Sequence, residues 1–380
     1  MPSSGGSLRR GGAIQIKREV RRSILILAGM KALGWLAAAC LAPAVFSAEL
    51  AEGVRGVASR APDVMTIDGD LSEWRNAFST PGEYFHADVK NRAVQFFYMW
   101  DEHAFYAAYR ALDQKPANHA PDDRLWEGDG VEWYFDTRRD RNFRSESWGS
   151  GAVHCYWTGL KGAEVQPRFC LRPGYLDAIP KIGVEVGAMR TPEGMQVEFK
   201  LPWENFPGFR PKLNEVIALD AELCYSDGGP RVYRTFIYGS PLSVQQPASQ
   251  AKIQLVNRFE KEMWAQCAPV LAPIRCDTPW TQPTKAMVTG YVAIPPNQAA
   301  DIGNIVFRLL DLKGKTIRDY PAAFEVFSSD GTFRRASATW SSDLAVPGQH
   351  HLLGIIYDPA GKELARVAPR MVSVNMAPGH

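Results

Sequence analysis

The run Leu125-Trp126-Glu127-Gly128-Asp129-Gly130-Val131-Glu132-Trp133-Tyr134-Phe135-Asp136 carries the strongest chemical pattern in the chain. Trp126 stands in a polar loop, six residues before Glu132, a carboxylate on a strand face. Together they supply two parts of a sugar site: an indole plate for the C–H face of a pyranose, and an acceptor for its hydroxyls. A structural tryptophan and a solvated acid are the plainer readings of the same residues. Glycoside hydrolysis needs two carboxylates across one sugar bond, which Glu127 and Glu132 match by type alone, but a solvated acid beside a strand accounts for Glu127.

Other chemical signatures fail for physical reasons. Gly314-Lys315-Thr316 looks like the end of a phosphate loop, yet Leu309 stands where the first glycine should and the flanks read as strands, so it is a hairpin turn. His350 and His351 are neighbours on a strand and point to opposite faces, which prevents chelation of one ion. The sequence contains no His-Glu-x-x-His and no Gly-x-Ser-x-Gly. Asp68 and Asp70 bracket a turn, so turn capping is their default, with calcium ligation the alternative; Asp129, with Asp122 and Asp123, precedes the strand that carries Glu132 and is a further calcium candidate.

These residues need strands to hold them. The 380 residues are 46% hydrophobic and 11% aromatic, with 32 Gly and 27 Pro, a composition that favours short strands over long helices. Runs of strand type occupy Ala93 to Trp100, Ala104 to Arg110, Val131 to Asp136, Ile182 to Met189, Met195 to Leu201, Val216 to Tyr225, Tyr233 to Tyr238 and Ala251 to Val256. In Val131 to Asp136, the residues Val131, Trp133 and Phe135 share one face while Glu132, Tyr134 and Asp136 share the other. Trp74, Trp100, Trp133 and Trp203 fall in or beside strands and read as core. A proline-rich segment, 257–284, reads as a linker. After it come Ala286 to Ile294, Ile305 to Asp311, Phe333 to Thr339, His350 to Asp358 and Glu363 to Val374, the spacing of a small immunoglobulin-like sandwich over 285–376. The expectation is an all-β chain of two antiparallel β-sandwich domains.

Residues 1–48 read as a secretory signal peptide with its n-region, in which Met30 fits an initiator and cleavage fits after Ser47 or Ala48. A membrane anchor over Ile24 to Phe46 is the rival, interrupted by Lys31 and Pro43. Arg21-Arg22 resembles a twin-arginine signal, and Cys40 a lipid-attachment site. The leader directs the chain to the periplasm, the envelope or the medium. It holds seven basic residues and one acid; without them 36 basic residues face 40 acidic ones, a balance of −4 that argues against nucleic-acid binding. In an oxidising compartment Cys267 and Cys276 form the best pair, while Cys155, Cys170 and Cys224 read as small buried apolar residues.

Five segments in order, Ile67 to Trp74, Met99 to Tyr106, Trp126 to Asp136, Val197 to Trp203 and Ile217 to Glu222, resemble carbohydrate-binding module family 9 over roughly 62–256. The resemblance implies a sandwich related to the DOMON superfamily, often with bound calcium, that grips glucans or xylans between two tryptophans. Carried over, Trp126 falls on the first plate and Glu132 on the acidic hydroxyl partner. The family's arginine falls near His154 and its glutamine near Glu222. The second tryptophan belongs between Tyr238 and Ala251, where this chain has no aromatic residue, so Tyr225 or Tyr238 is the substitute plate. Losing one plate removes roughly 1 to 3 kcal/mol of stacking. The resemblance implies an exported binder of glucan- or xylan-type saccharide, accessory to glycan degradation or part of the envelope. Hydrolysis of glycosidic bonds attaches to it only by association. Two alternatives remain: a haem module of DOMON type with Met99, His154 and Met195 as the available axial ligands, and a structural envelope protein whose sugar site is lost.

Overall fold

The computed structural model describes residues 49–84, 93–138, 151–172, 183–238, 241–244, 246–267, 271–277, 285–341, 348–367 and 369–374. They all lie in one compact unit, Ser47–His380. The leader expected over 1–48 lies outside the described residues.

The first sandwich is built from β1 (Val54–Arg60), β2 (Phe78–Pro81), β3 (Glu83–Tyr84), β4 (Ala93–Trp100), β5 (Ala104–Leu112), β6 (Gly130–Asp136), β7 (Ala152–Lys161), β8 (Glu164–Leu171), β9 (Glu185–Arg190), β10 (Gly194–Pro202), β11 (Val216–Tyr225), β12 (Tyr233–Phe236) and β13 (Ala251–Leu255). Its strands follow the order β8-β7-β6-β11-β13-β1-β4-β5-β10-β9. β1 links the two layers: Val54 to Ala58 pair with β13, and Ser59 and Arg60 then pair with Met99 and Trp100 of β4, both in parallel. The remaining pairings of this sandwich are antiparallel among the described residues, as expected.

Alternation places Val131, Trp133 and Phe135 in the core, as the sequence pattern requires. Aromatic rings fill the space between layers: Trp157 stacks on Phe199 with centroids 5.0 Å apart, and Phe105 meets Phe135 at 4.8 Å. Trp74, Trp100, Trp133 and Trp203 are all buried. β7 and β8 escape the sequence reading. β8 (EVQPRFCL) is an edge strand with its first four residues exposed and a proline among them, so no hydrophobic period marks it.

Within the segment read as a linker, the structure places α1 (Lys261–Gln266) and β14 (Leu271–Asp277). β14 pairs with β15 (Lys285–Ala293), and the second sandwich continues with β16 (Asn304–Leu310), β17 (Thr316–Pro321), β18 (Ala323–Val326), β19 (Phe333–Ser341), β20 (Gly348–Tyr357), β21 (Glu363–Arg366) and β22 (Arg370–Val374). Its sheets run β14-β15-β19-β18 and β17-β16-β20-β21, with β22 on β20. Cys267 is a free buried thiol, which corrects the expected pairing with Cys276. Gly314 sits at φ 83 in the turn between β16 and β17, the hairpin that the sequence indicates. No helix among the described residues is long and apolar enough to cross a membrane.

One apolar cluster runs from the first sandwich through Val256, Phe259, Met263 and Trp264 into the second. A polar clamp reinforces it. Gln95 of β4 donates to the Ile294 carbonyl (3.3 Å) and accepts from Arg110 Nε (2.7 Å). Arg110 then reaches Asp330 through Nη1 (3.1 Å) and Nη2 (3.2 Å) and also bonds Thr332. Asp330→Ala removes the carboxylate that holds this largely buried guanidinium, and should lower stability by about 1–2 kcal/mol. A lower melting temperature together with faster protease cleavage near residue 330 is the expected outcome.

Candidate functional site

Glu132 lies opposite Tyr156 of β7 and opposite Glu222 of β11. Tyr156 in turn lies opposite Cys170, and Glu222 opposite Phe236. One row of side chains thus crosses five strands on the face turned away from the core. The next row sets Tyr134 between His154 and Asp220. The face is polar yet closed: Glu132 is 4% exposed, and Glu222 and His154 are fully buried.

Two carboxylates at one register position repel, so each must be held by cations or hydrogen-bond donors. Glu132 Oε1 meets His154 Nε2 at 2.5 Å and accepts from the Tyr156 hydroxyl at 3.2 Å. Arg172 Nη1 lies 3.3 Å from His154 Nδ1 and 3.9 Å from Glu132. A guanidinium only donates, so Nδ1 accepts and the imidazole proton sits on Nε2, facing Glu132. The chain Arg172 to His154 to Glu132 therefore fixes a neutral histidine, in line with burial, which pushes its pKa below the ordinary value. Arg234 grips Glu222 with Nε (2.6 Å) and Nη2 (2.5 Å), and Arg231 Nη1 approaches it at 3.4 Å. Burial raises the Glu222 pKa in spite of Arg234, and the Glu132 charge adds to that rise. Burial works to raise Glu132 too, but the His154 hydrogen bond and field hold it below the usual carboxylate range.

Trp126 occupies the short 3-10 turn Leu125–Glu127 that leads into β6. Its ring rests on Tyr156 with centroids 4.7 Å apart and planes at 40°, and it is partly buried against Leu125 and Cys170. The structure thus brings Trp126, Glu132, His154 and Glu222 together. Tyr238 is a correction: it is 8% exposed within the main core, with Arg55 over its ring at 5.0 Å. Tyr225 is core too, because it follows the odd-numbered alternation of Leu219, Ala221 and Leu223 on β11. Neither supplies a second plate. Where the second tryptophan was expected, the 3-10 turns Pro241–Val244 and Pro247–Ser249 close the end of the face, with Ser243 bonded to Asp220 (2.7 Å) and Val244 packed near Tyr134 and Phe236.

The calcium candidates are engaged in turns and loops. Asp68 accepts from the Asp70 amide (2.8 Å) and Asp70 caps the next turn through the Ser72 amide (3.1 Å). Asp129 accepts from the Ala117 amide (2.6 Å), the Ser226 amide and the Ser226 hydroxyl (2.9 Å). All three do turn or loop work, and they form no cluster among the described residues. The motif Ile67 to Trp74 instead wraps a buried acid: Glu198 accepts from Trp74 Nε1 (2.6 Å), the Gly69 amide (2.6 Å) and the Asp68 amide (3.0 Å). Gly69 is required there, since its φ is +95 and a Cβ would lie 2.3 Å from the Ala188 carbonyl carbon. Glu132, Glu222 and Cys224 have ligand atoms within 4.8 Å of one another. Arg234 and Arg231 already supply the positive charge at Glu222.

The haem ligands do not converge either. Met99 lies in a small cluster with Trp74, Met195 lies in the main core, and His154 has each ring nitrogen engaged on the outer face. Sequence reasoning missed Arg172, Arg231, Arg234, Tyr134 and Tyr156. A signal existed for Arg234: folding Tyr233–Phe236 back on Val216–Tyr225 sets it opposite Cys224, beside the buried Glu222 that needs a cation.

The family described as carbohydrate family 9 binding domain-like matches residues 67–238. The chain is similar to a solved carbohydrate binding module family 9 (CBM9) from Caldicellulosiruptor kristjanssonii in complex with cellotriose, at 19% identity and a TM-score of 0.43, covering 54% of this chain and 95% of that one. A second structure of a module from that organism, in complex with glucose, gives 20% identity and a TM-score of 0.42 over 54% of this chain and 96% of that one. No curated protein matches.

Buried carboxylates set the pH response. Burial pushes Asp129, Glu198 and Asp220 each up to about 7. Such groups bind protons more tightly folded than unfolded, so stability falls as pH rises between about 4.5 and 7. His154 opposes this, being held neutral, and costs stability below its unfolded value near 6.5. These raised carboxylates, Glu222 among them, outweigh one histidine. The melting temperature should be higher near pH ~5.5 than near pH ~8, and Asp220→Asn should flatten the difference. A melting temperature that climbs steadily over that range would count against these assignments.

Proposed function

We propose, on the match of residues 67–238 to the family described as carbohydrate family 9 binding domain-like, that this chain binds a polysaccharide or its chain end without transforming it. The leader read in residues 1–48 would deliver it outside the cytoplasm, where it serves glycan degradation as an accessory or forms part of the envelope. Its ligand is of the glucan or xylan type.

One observation carries this reading. Trp126 is a partly exposed indole fixed by a second ring, Tyr156, whose hydroxyl is anchored on Glu132. An aromatic plate with fixed tilt beside a polar sheet face is what a pyranose needs: its C–H face packs on the ring while its hydroxyls meet polar groups. Catalysis is not part of the proposal. Both oxygens of Glu222 are held by arginines and Glu132 is locked to His154, so neither is poised to give or take a proton from a substrate.

Titration of a panel of soluble oligosaccharides into wild type and Trp126→Ala tests it. The indole should account for roughly 1–3 kcal/mol, a loss of about tenfold or more in affinity on substitution. Folded protein that binds no glycan, or an alanine variant with unchanged affinity, would leave the structural envelope role as the better account.

A further inference from the structure

We propose that the sugar held against Trp126 carries a carboxylate: the site is built for a uronic acid unit. This rests on the saccharide-binding reading above and specifies its ligand.

The argument is about which groups a ligand meets. A neutral sugar offers hydroxyls, and sites for it present both acceptors and donors. Here the acceptors are withdrawn. The Glu132 and Glu222 side chains are 5% and 0% exposed, and both are saturated from within the protein. The groups that reach the surface above them are guanidinia: Arg172 and Arg231 are each 27% exposed and Arg234 is 36% exposed. Arg234 engages Glu222 through Nε and Nη2, and that contact does not use Nη1. Arg231 sits only loosely on Glu222 Oε1 (3.4 Å) and Cys224 Sγ (3.6 Å). Its backbone amide donates to the Glu127 carbonyl at 2.7 Å, which fastens this cation to the turn that carries Trp126.

Charge points the same way. Two guanidinia, Arg231 and Arg234, converge on the single Glu222 carboxylate, and His154 beside Glu132 is neutral. Among the described residues nearby, Glu127 is paired with Arg124 (3.2 Å) and Asp122 with Arg168 (2.9 Å). A planar carboxylate fits a guanidinium edge with two parallel hydrogen bonds, and a uronate brings that group together with a pyranose face for the indole.

The test is calorimetric titration of the full chain with a uronate-containing oligosaccharide, the same oligosaccharide with its carboxyl groups reduced, and a sulfated oligosaccharide of equal length. The uronate form should bind about tenfold tighter than the reduced form, the scale of a charge-assisted hydrogen bond. The margin should shrink as salt screens the charge. Arg231→Gln should weaken uronate binding more than binding of the reduced sugar; Arg172→Gln provides the same comparison if that variant does not fold. Equal affinity for the uronate and reduced forms overturns this inference and leaves saccharide binding standing. Tighter binding of the sulfated sugar also overturns it. No binding of any of the three by folded protein overturns the saccharide reading and this inference together.

Discussion

Glu132 and Glu222 face each other across two paired strands and neither reaches water. That is the constraint around which one sheet is arranged. Like charges at one cross-strand position repel, and a buried carboxylate without a partner costs several kcal/mol. The remedy comes from both sides. β7 brings His154, the end of β8 brings Arg172, and the hairpin from β11 to β12 brings Arg231 and Arg234. The backbone serves the same end: the Arg172 amide donates to the His154 carbonyl at 3.1 Å, which holds the arginine over the imidazole it must polarise. Remove the charge problem and there is no evident reason for this order of strands to carry these residues.

Buried acids anchor the rest of the domain by a related device. Glu198 collects three donors from the loop 67–74, and Asp129 collects three from the loops at 117 and 226. In each case a carboxylate replaces the hydrogen bonds that a loop amide would otherwise seek from water, so the loop can lie on the sandwich. The aspartates of the loop 67–74 have the composition of a metal loop. Their spacing serves turn geometry, because an Asx side chain satisfies the amide two residues on.

Much of this was legible in the sequence. The two-residue period of Val131 to Asp136 assigned its core face correctly, and the turn residues marked hairpins in both sandwiches. The acids of the site could be named because they break a hydrophobic run. Their cations could not be named so easily: Arg172 and Arg231 lie just outside strands, where an arginine looks like any solvated residue. Tyr238 misled for a related reason. It follows the end of β12, where the strand period no longer says which way a ring points. β8 was invisible because an exposed edge strand has no need of a hydrophobic face.

The indole and the buried charges are parts of one mechanism. Trp126 takes its tilt from Tyr156, and the Tyr156 hydroxyl is fixed by Glu132, which His154 and Arg172 hold in place. Ring position therefore depends on the charge cluster, and a change at Arg172 is felt by the surface that a ligand touches. The turns Pro241–Val244 and Pro247–Ser249 contain no aromatic residue, so they offer no second ring for stacking. Arg231 and Arg234, which share the Glu222 carboxylate, are partly exposed on that face. The same guanidinia that hold Glu222 within the sheet are the groups that a ligand on this surface would meet.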